Sequence, residues 1–172
     1  MINTILRNII RFIVLVLVQV LVIKNIELGI FINPFIYVLF ILLLPFETPK
    51  WMLLLIGLFL GLTIDMFYDT MGMHATACVF MSFLRPSVLN WFSPREGYEY
   101  GMHPTIQYLG IPWFLSYSAI LVFSHHLILF FVEIFRFSET PSTLLRVLIS
   151  SLFTLLLIVV SQFLFNRKKE EE

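Results

Sequence analysis

Long apolar runs recur from one end of this chain to the other, and the segments between them are too short to fold alone. Of 172 residues, 59% are apolar and 13% are charged, with a mean hydropathy of +0.94. A soluble domain of this length needs far more polar surface, so the expected solvent is lipid. The length allows one domain with no appended soluble module. Basic and acidic residues balance at 11 each, which gives no basis for binding nucleic acid. The single cysteine, Cys78, lies inside an apolar run. It can form neither an intrachain disulfide nor a thiolate cluster, and it reads as a buried, inert thiol.

The pattern predicts an all-α polytopic membrane protein with about six spans, near 5–23, 30–44, 51–67, 74–89, 112–135 and 144–165. A span wants roughly 20 apolar residues, and the second and fourth are the weakest. Pro34 interrupts the second, and Pro45 and Pro49 stop it. The sequence Arg85-Pro86-Ser87 marks an end or a kink in the fourth. Each of these two spans is either partly re-entrant or masked at its ends by protein neighbours; a five-span alternative drops one of them. Arg7 and Arg11 precede the first apolar run, but no small-x-small cleavage site follows it, so the first span reads as uncleaved.

Charge distribution tests the count. With six spans and the N-terminus in the cytoplasm, Arg7, Arg11, Lys50, Arg85, Arg95, Arg167, Lys168 and Lys169 fall inside. Lys24, Arg136 and Arg146 fall outside. Eight against three favours both termini in the cytoplasm. The only sizeable connection, 90–111, is rich in Trp and Tyr and is expected to lie along the membrane interface.

The stretch 57–75, GLFLGLTIDMFYDTMGMHA, carries the most information. Gly57, Gly61, Asp65 and Asp69 are spaced four apart and form one slowly drifting stripe on a helix. The two glycines permit close approach of a neighbouring helix. Asp65 falls inside the hydrocarbon, about 21 Å along the axis from Trp51 at 1.5 Å per residue. A carboxylate there costs roughly 2.5–3.5 kcal/mol on insertion scales, so it must face protein or water. It is either a ligand or proton site, or an interhelical hydrogen bond or cap; the second takes precedence, since polar groups in spans commonly serve as packing contacts. Asp69 is expected outside the core, capping the following turn, where Gly72 suits a positive φ.

His125, His126 and Glu133 are the other ionisable groups of interest. His126 and Glu133 share a helix face, but two turns, about 10 Å, separate them, too far for one metal without a third element. Glu133 is expected to pair with Arg136. Gln19, Ser150 and the other Ser and Gln side chains in spans read as interhelical glue. The sequence contains no G-x-S-x-G, Walker loop, HExxH or dinucleotide fingerprint. No catalytic residue, cofactor or metal is assigned.

The run from Gly57 to Pro86 resembles the rod shape-determining protein MreD family of bacteria. The resemblance rests on G-x-x-x-G-hydrophobic-x-x-D followed by G-x-H-A, here Gly57, Gly61, Asp65, then Gly72, His74 and Ala75. It implies a non-catalytic inner-membrane scaffold of the cell-elongation (rod) complex, regulating cell shape and lateral peptidoglycan synthesis. The implied partners are MreC first, then MreB, RodA and a penicillin-binding transpeptidase, within the lipid bilayer. It also implies a fold like the substrate-binding subunits of energy-coupling-factor transporters, an analogy that carries no substrate with it. In this reading the motif residues hold the third and fourth spans together or dock a partner helix. The long aromatic loop 90–111 departs from many relatives. The alternative function is a membrane-embedded substrate-binding subunit of a vitamin transporter, which would need polar groups converging on a cavity.

Overall fold

A computed structural model describes residues 2–26, 29, 31–99, 101–135 and 140–165. All regular structure among them is helical. Helix α1 (Ile2–Leu17) passes into a π turn, Val18–Val22, and a 3-10 turn, Ile23–Asn25. A 3-10 turn, Ile36–Val38, leads into the four-residue α2 (Leu39–Leu42). Then come α3 (Lys50–Tyr68), α4 (Met73–Trp91), α5 (Ile106–Ile134) and α6 (Thr140–Phe165). Four stretches are long and apolar enough to cross a membrane: Ile5–Asn25, α3, α5 and most of α6. That is consistent with a multi-pass membrane protein.

Helix α3 packs along α4, α4 along α5 and α5 along α6. Buried positions in α3 are Leu53, Gly57, Leu60, Gly61, Ile64 and Asp65, the 3–4 spacing of one face. The buried row of α4 runs from His74 and Ala75 through Cys78, Met81 and Arg85 to Val88 and Leu89. Helix α4 continues through Pro86 to Trp91 instead of stopping at residues 85–87. Helix α5 breaks at Gly110 (φ 80, ψ 166) and restarts with Pro112 in its first turn, where a missing N–H costs nothing.

The expected helical span at 30–44 is not one. Within it, residues 32–35 form no helix, and regular structure is limited to the turn at Ile36–Val38 and the single turn of α2. Pro34 supplies no N–H, and Pro45 cannot extend the helix beyond Leu44. Yet the segment traverses the bundle. Its start bonds Ser150 and Thr154 of α6, its middle His125 of α5, and its end Arg85 of α4. Residues 35–44 are all buried. Non-helical backbone at membrane depth is tolerated where protein encloses it.

Six segments thus pack into the bundle, of which four are long and apolar enough to cross a membrane and α4 and the irregular segment are not, and α1 starts at the end where α6 finishes. Arg7 meets His103, and Glu47 meets the Gly101 N–H at that end. Lys24 donates to the Phe67 carbonyl at the other. Among the described residues, Arg7, Arg11, Lys50, Arg85 and Arg95 lie towards the first end; Lys24 and Arg146 lie towards the second. Arg136 and the 167–169 cluster fall outside the described residues. So does the expected Glu133–Arg136 pair; Glu133 instead bonds Arg146 at 3.0 Å.

The loop after α4 is mostly exposed and is anchored through its aromatic side chains. Tyr98 stacks on Phe46 with centroids 4.1 Å apart and donates to the Leu89 carbonyl. Trp113 bonds the Phe92 carbonyl at 2.9 Å.

Candidate functional site

The corner between α3 and α4 brings the motif residues together. Gly57 faces Ser82 and Cys78, and a Cβ there would stand 2.9 Å from the Cys78 carbonyl oxygen. At Gly61 a Cβ would stand 2.6 Å from the Ala75 nitrogen and 2.7 Å from the His74 carbonyl oxygen. Both glycines therefore serve contact within the bundle.

Asp65 then completes the corner. The residue preceding α4 is Gly72, held at φ 80. A helix start exposes N–H groups that an N-cap side chain normally accepts, and glycine has none to offer. Asp65 supplies the acceptor from the preceding helix. Its Oδ1 accepts from the His74 N–H at 3.0 Å and from the Thr70 hydroxyl at 2.5 Å; its Oδ2 accepts from the Ala75 N–H at 3.0 Å. The positive end of α4 favours the carboxylate further. With 5% exposure, Asp65 has exchanged water for three donors, at about 1.5–3 kcal/mol per charged hydrogen bond. Asp69 is exposed and works through its backbone. At φ 54 it ends α3, its N–H bonded to the Asp65 carbonyl.

The second polar concentration surrounds the irregular crossing. Gln19 Oε1 accepts the Ile36 N–H at 2.8 Å, and its Nε2 donates to the Pro34 carbonyl and the Tyr68 hydroxyl. The π turn is what places this wholly buried glutamine. Ser150 Oγ accepts the Asn33 N–H and donates to the Phe31 carbonyl, both at 3.0 Å. Thr154 Oγ1 accepts the Phe35 N–H at 3.0 Å and donates to His126 Nε2 at 3.1 Å. His126 Nδ1 can then donate to the Val122 carbonyl at 2.9 Å, which sets its tautomer. Every N–H from Asn33 to Ile36 is thereby satisfied, Pro34 having none.

At the other end of the crossing, Tyr117 donates to the Leu42 carbonyl at 3.0 Å, Arg11 to Leu43 at 3.3 Å, and Arg85 to Leu44. Cationic donors suit carbonyls left open at a helix C-terminus. Arg85 also donates to Tyr117 at 2.9 Å.

Midway, the Tyr37 hydroxyl bridges His74 Nδ1 at 2.7 Å and His125 Nε2 at 2.9 Å. Cys78 Sγ lies 3.8 Å from the same His125 nitrogen. The sequence alone named no thiol–imidazole pair; the fold creates this one. Tyr37, Cys78 and His125 have 0% exposure, and Tyr37 already occupies the imidazole nitrogen. This arrangement is a buried hydrogen-bonded centre joining the crossing to α4 and α5, with His125 Nδ1 left without a partner among the described residues. Among the described residues, no three His, Cys, Asp or Glu side chains are grouped to hold a metal ion.

Gln19 and Ser150 were legible as polar groups within spans, though not as partners of Pro34's neighbours. Tyr37, Arg85, Tyr117 and Thr154 carry no local signal, since each makes its defining bond to a residue at least 28 positions away. Compared with known proteins, the chain matches no family model, no curated protein and no solved structure.

Proposed function

We propose that this chain is a MreD-type scaffold of a bacterial rod complex, a non-catalytic inner-membrane protein that works with MreC. The supporting observation is the α3–α4 corner. Gly57, Gly61, Asp65, Gly72, His74 and Ala75, on which the resemblance rests, act there as one structural unit. Their spacing has a common purpose: close approach by the glycines, followed by a helix cap carried on the opposite helix.

The scaffold reading also gives the outer surface a role. Helix α1 is largely peripheral, with Ile5, Leu6, Ile9, Ile13 and Leu17 exposed. Such a face suits the single transmembrane helix of a bitopic partner such as MreC, and MreB, RodA and the transpeptidase would join through that assembly. Both termini are cytoplasmic in this proposal. The transporter-like fold belongs to the same reading as an analogy only.

Depletion of the chain in its own host tests the proposal. Rounded cells and loss of lateral incorporation of a fluorescent D-amino acid are expected. Unchanged shape and unchanged lateral labelling would reject it.

A further inference from the structure

A groove of about 330 Å³ opens between α1, the irregular crossing and the C-terminal part of α6. It exists because α1 packs on the crossing and α6 on α5. One wall runs from Arg7, Arg11 and Val14 of α1 to Val18 of the π turn, Leu39 and Leu43 form the floor, and Ser161 and Gln162 stand on the α6 side. From Arg7 to Val18 this wall rises 11 residue steps, about 16 Å at 1.5 Å per residue. One leaflet of a roughly 30 Å hydrocarbon core is about 15 Å deep. The groove is therefore one leaflet long.

Its charge is confined to one end. Arg7 and Arg11 stand at the terminal end of the wall, everything deeper on α1 is aliphatic, and no carboxylate is among its described lining residues. Arg7 gives one N–H group to His103, and Arg11 gives its Nη1 to Asn8 and the Leu43 carbonyl. A guanidinium carries five N–H donors, so both retain donors for an anion. Paired guanidinium forks match phosphate geometry, and basic pockets between membrane helices bind anionic head groups.

We infer that this groove holds an anionic glycerophospholipid, with its phosphate at Arg7 and Arg11 and one acyl chain lying between α1 and α6. The inference does not depend on the scaffold reading; it requires only that the chain sit in a membrane. A partner helix is the competing occupant. The cationic mouth and the depth of a single leaflet favour lipid over a helix, which would need a groove spanning both leaflets.

The test uses the full chain, delipidated in neutral detergent and titrated with phosphatidylglycerol or phosphatidylcholine of identical acyl chains. Phosphatidylglycerol should raise the melting temperature more than phosphatidylcholine. The Arg7→Gln, Arg11→Gln double variant should lower the apparent affinity for phosphatidylglycerol in that titration about tenfold, the equivalent of one charge-assisted contact. Val14→Trp should also weaken it by filling the groove; Val14 is 45% exposed, so this substitution leaves the core intact. Equal shifts from the two lipids would overturn the inference, as would a phosphatidylglycerol effect that Val14→Trp leaves unchanged. A photo-crosslinker at position 14 in native membranes gives an independent readout. A lipid adduct supports the inference, and a protein adduct overturns it.

Discussion

Asp65→Ala tests the α3–α4 corner at its buried carboxylate. It removes the acceptor of two N–H groups in the first turn of α4 and of the Thr70 hydroxyl. Loss of a helix cap costs about 0.5–2 kcal/mol. A second buried donor left without a partner adds about 1–3 kcal/mol. Taking the middle of each range gives about 3 kcal/mol. For a chain of this size each kcal/mol moves the melting temperature by about 2–4 °C, so a fall of about 6–12 °C is expected. Asp65→Asn keeps one acceptor oxygen but turns an amide donor towards a backbone donor, and about half the effect should remain. Asp69→Asn is the control. Asp69 is exposed and in the left-handed region, which asparagine tolerates, so its change should stay within about 2 °C. The assay is thermal unfolding in detergent with a thiol-reactive dye, since Cys78 is the only cysteine and is wholly buried. If Asp65→Ala and Asp69→Asn melt alike, Asp65 does not cap α4.

Three further outcomes follow from the same geometry. Gly61→Ala forces a Cβ against the Ala75 backbone and should destabilise by about 1–3 kcal/mol or more; a melting temperature equal to wild type would contradict the α3–α4 contact. Thr154→Val leaves the Phe35 N–H without its acceptor and should cost about 1–3 kcal/mol, whereas Thr63→Val on an exposed surface should cost far less; equal values would remove Thr154 from the support of the crossing. The third concerns pH. Burial, with Arg7 and Arg11 nearby, holds the His103 imidazole below its usual range, against a smaller opposing pull from Glu47. The proton is therefore favoured in the unfolded chain. The His103 contribution is complete above the ordinary value of about 6.5, erodes as pH falls towards the lowered folded value, and is absent below it. Amide exchange in 101–105, corrected for its intrinsic pH dependence, should rise as pH falls below about 6.5, and His103→Gln should flatten that rise; identical profiles would refute the contact.

The α3–α4 corner was legible in the sequence because its determinants are local. Four-residue spacing sets the stripe, and the carboxylate lies only nine and ten residues from the N–H groups it caps. What the sequence left open was the choice between internal packing and docking of a partner. The Cβ contacts at Gly57 and Gly61 point inward to α4.

The second crossing was legible only as a weakness. Pro34 marks an interruption and Pro45 a stop, but the sequence still predicts a helical span there. That it still traverses the bundle depends on Gln19, Ser150 and Thr154, which meet it from 15, 117 and 119 positions away. Ser, Thr and Gln of this kind occur throughout membrane helices as packing contacts, so no local pattern separates the ones that support a broken strand of backbone. The same holds for Arg85. A basic residue beside Pro86 suggests a membrane boundary, but its guanidinium turns inward to the Leu44 carbonyl just beyond α2.

Affinity purification of the tagged chain from its native membrane, with partners identified by mass spectrometry, bears most directly on the proposed function. The scaffold account predicts recovery of a single-pass partner of the MreC type, accompanied by cell-elongation proteins. Recovery of transporter ATPase subunits with no wall-synthesis protein would contradict it.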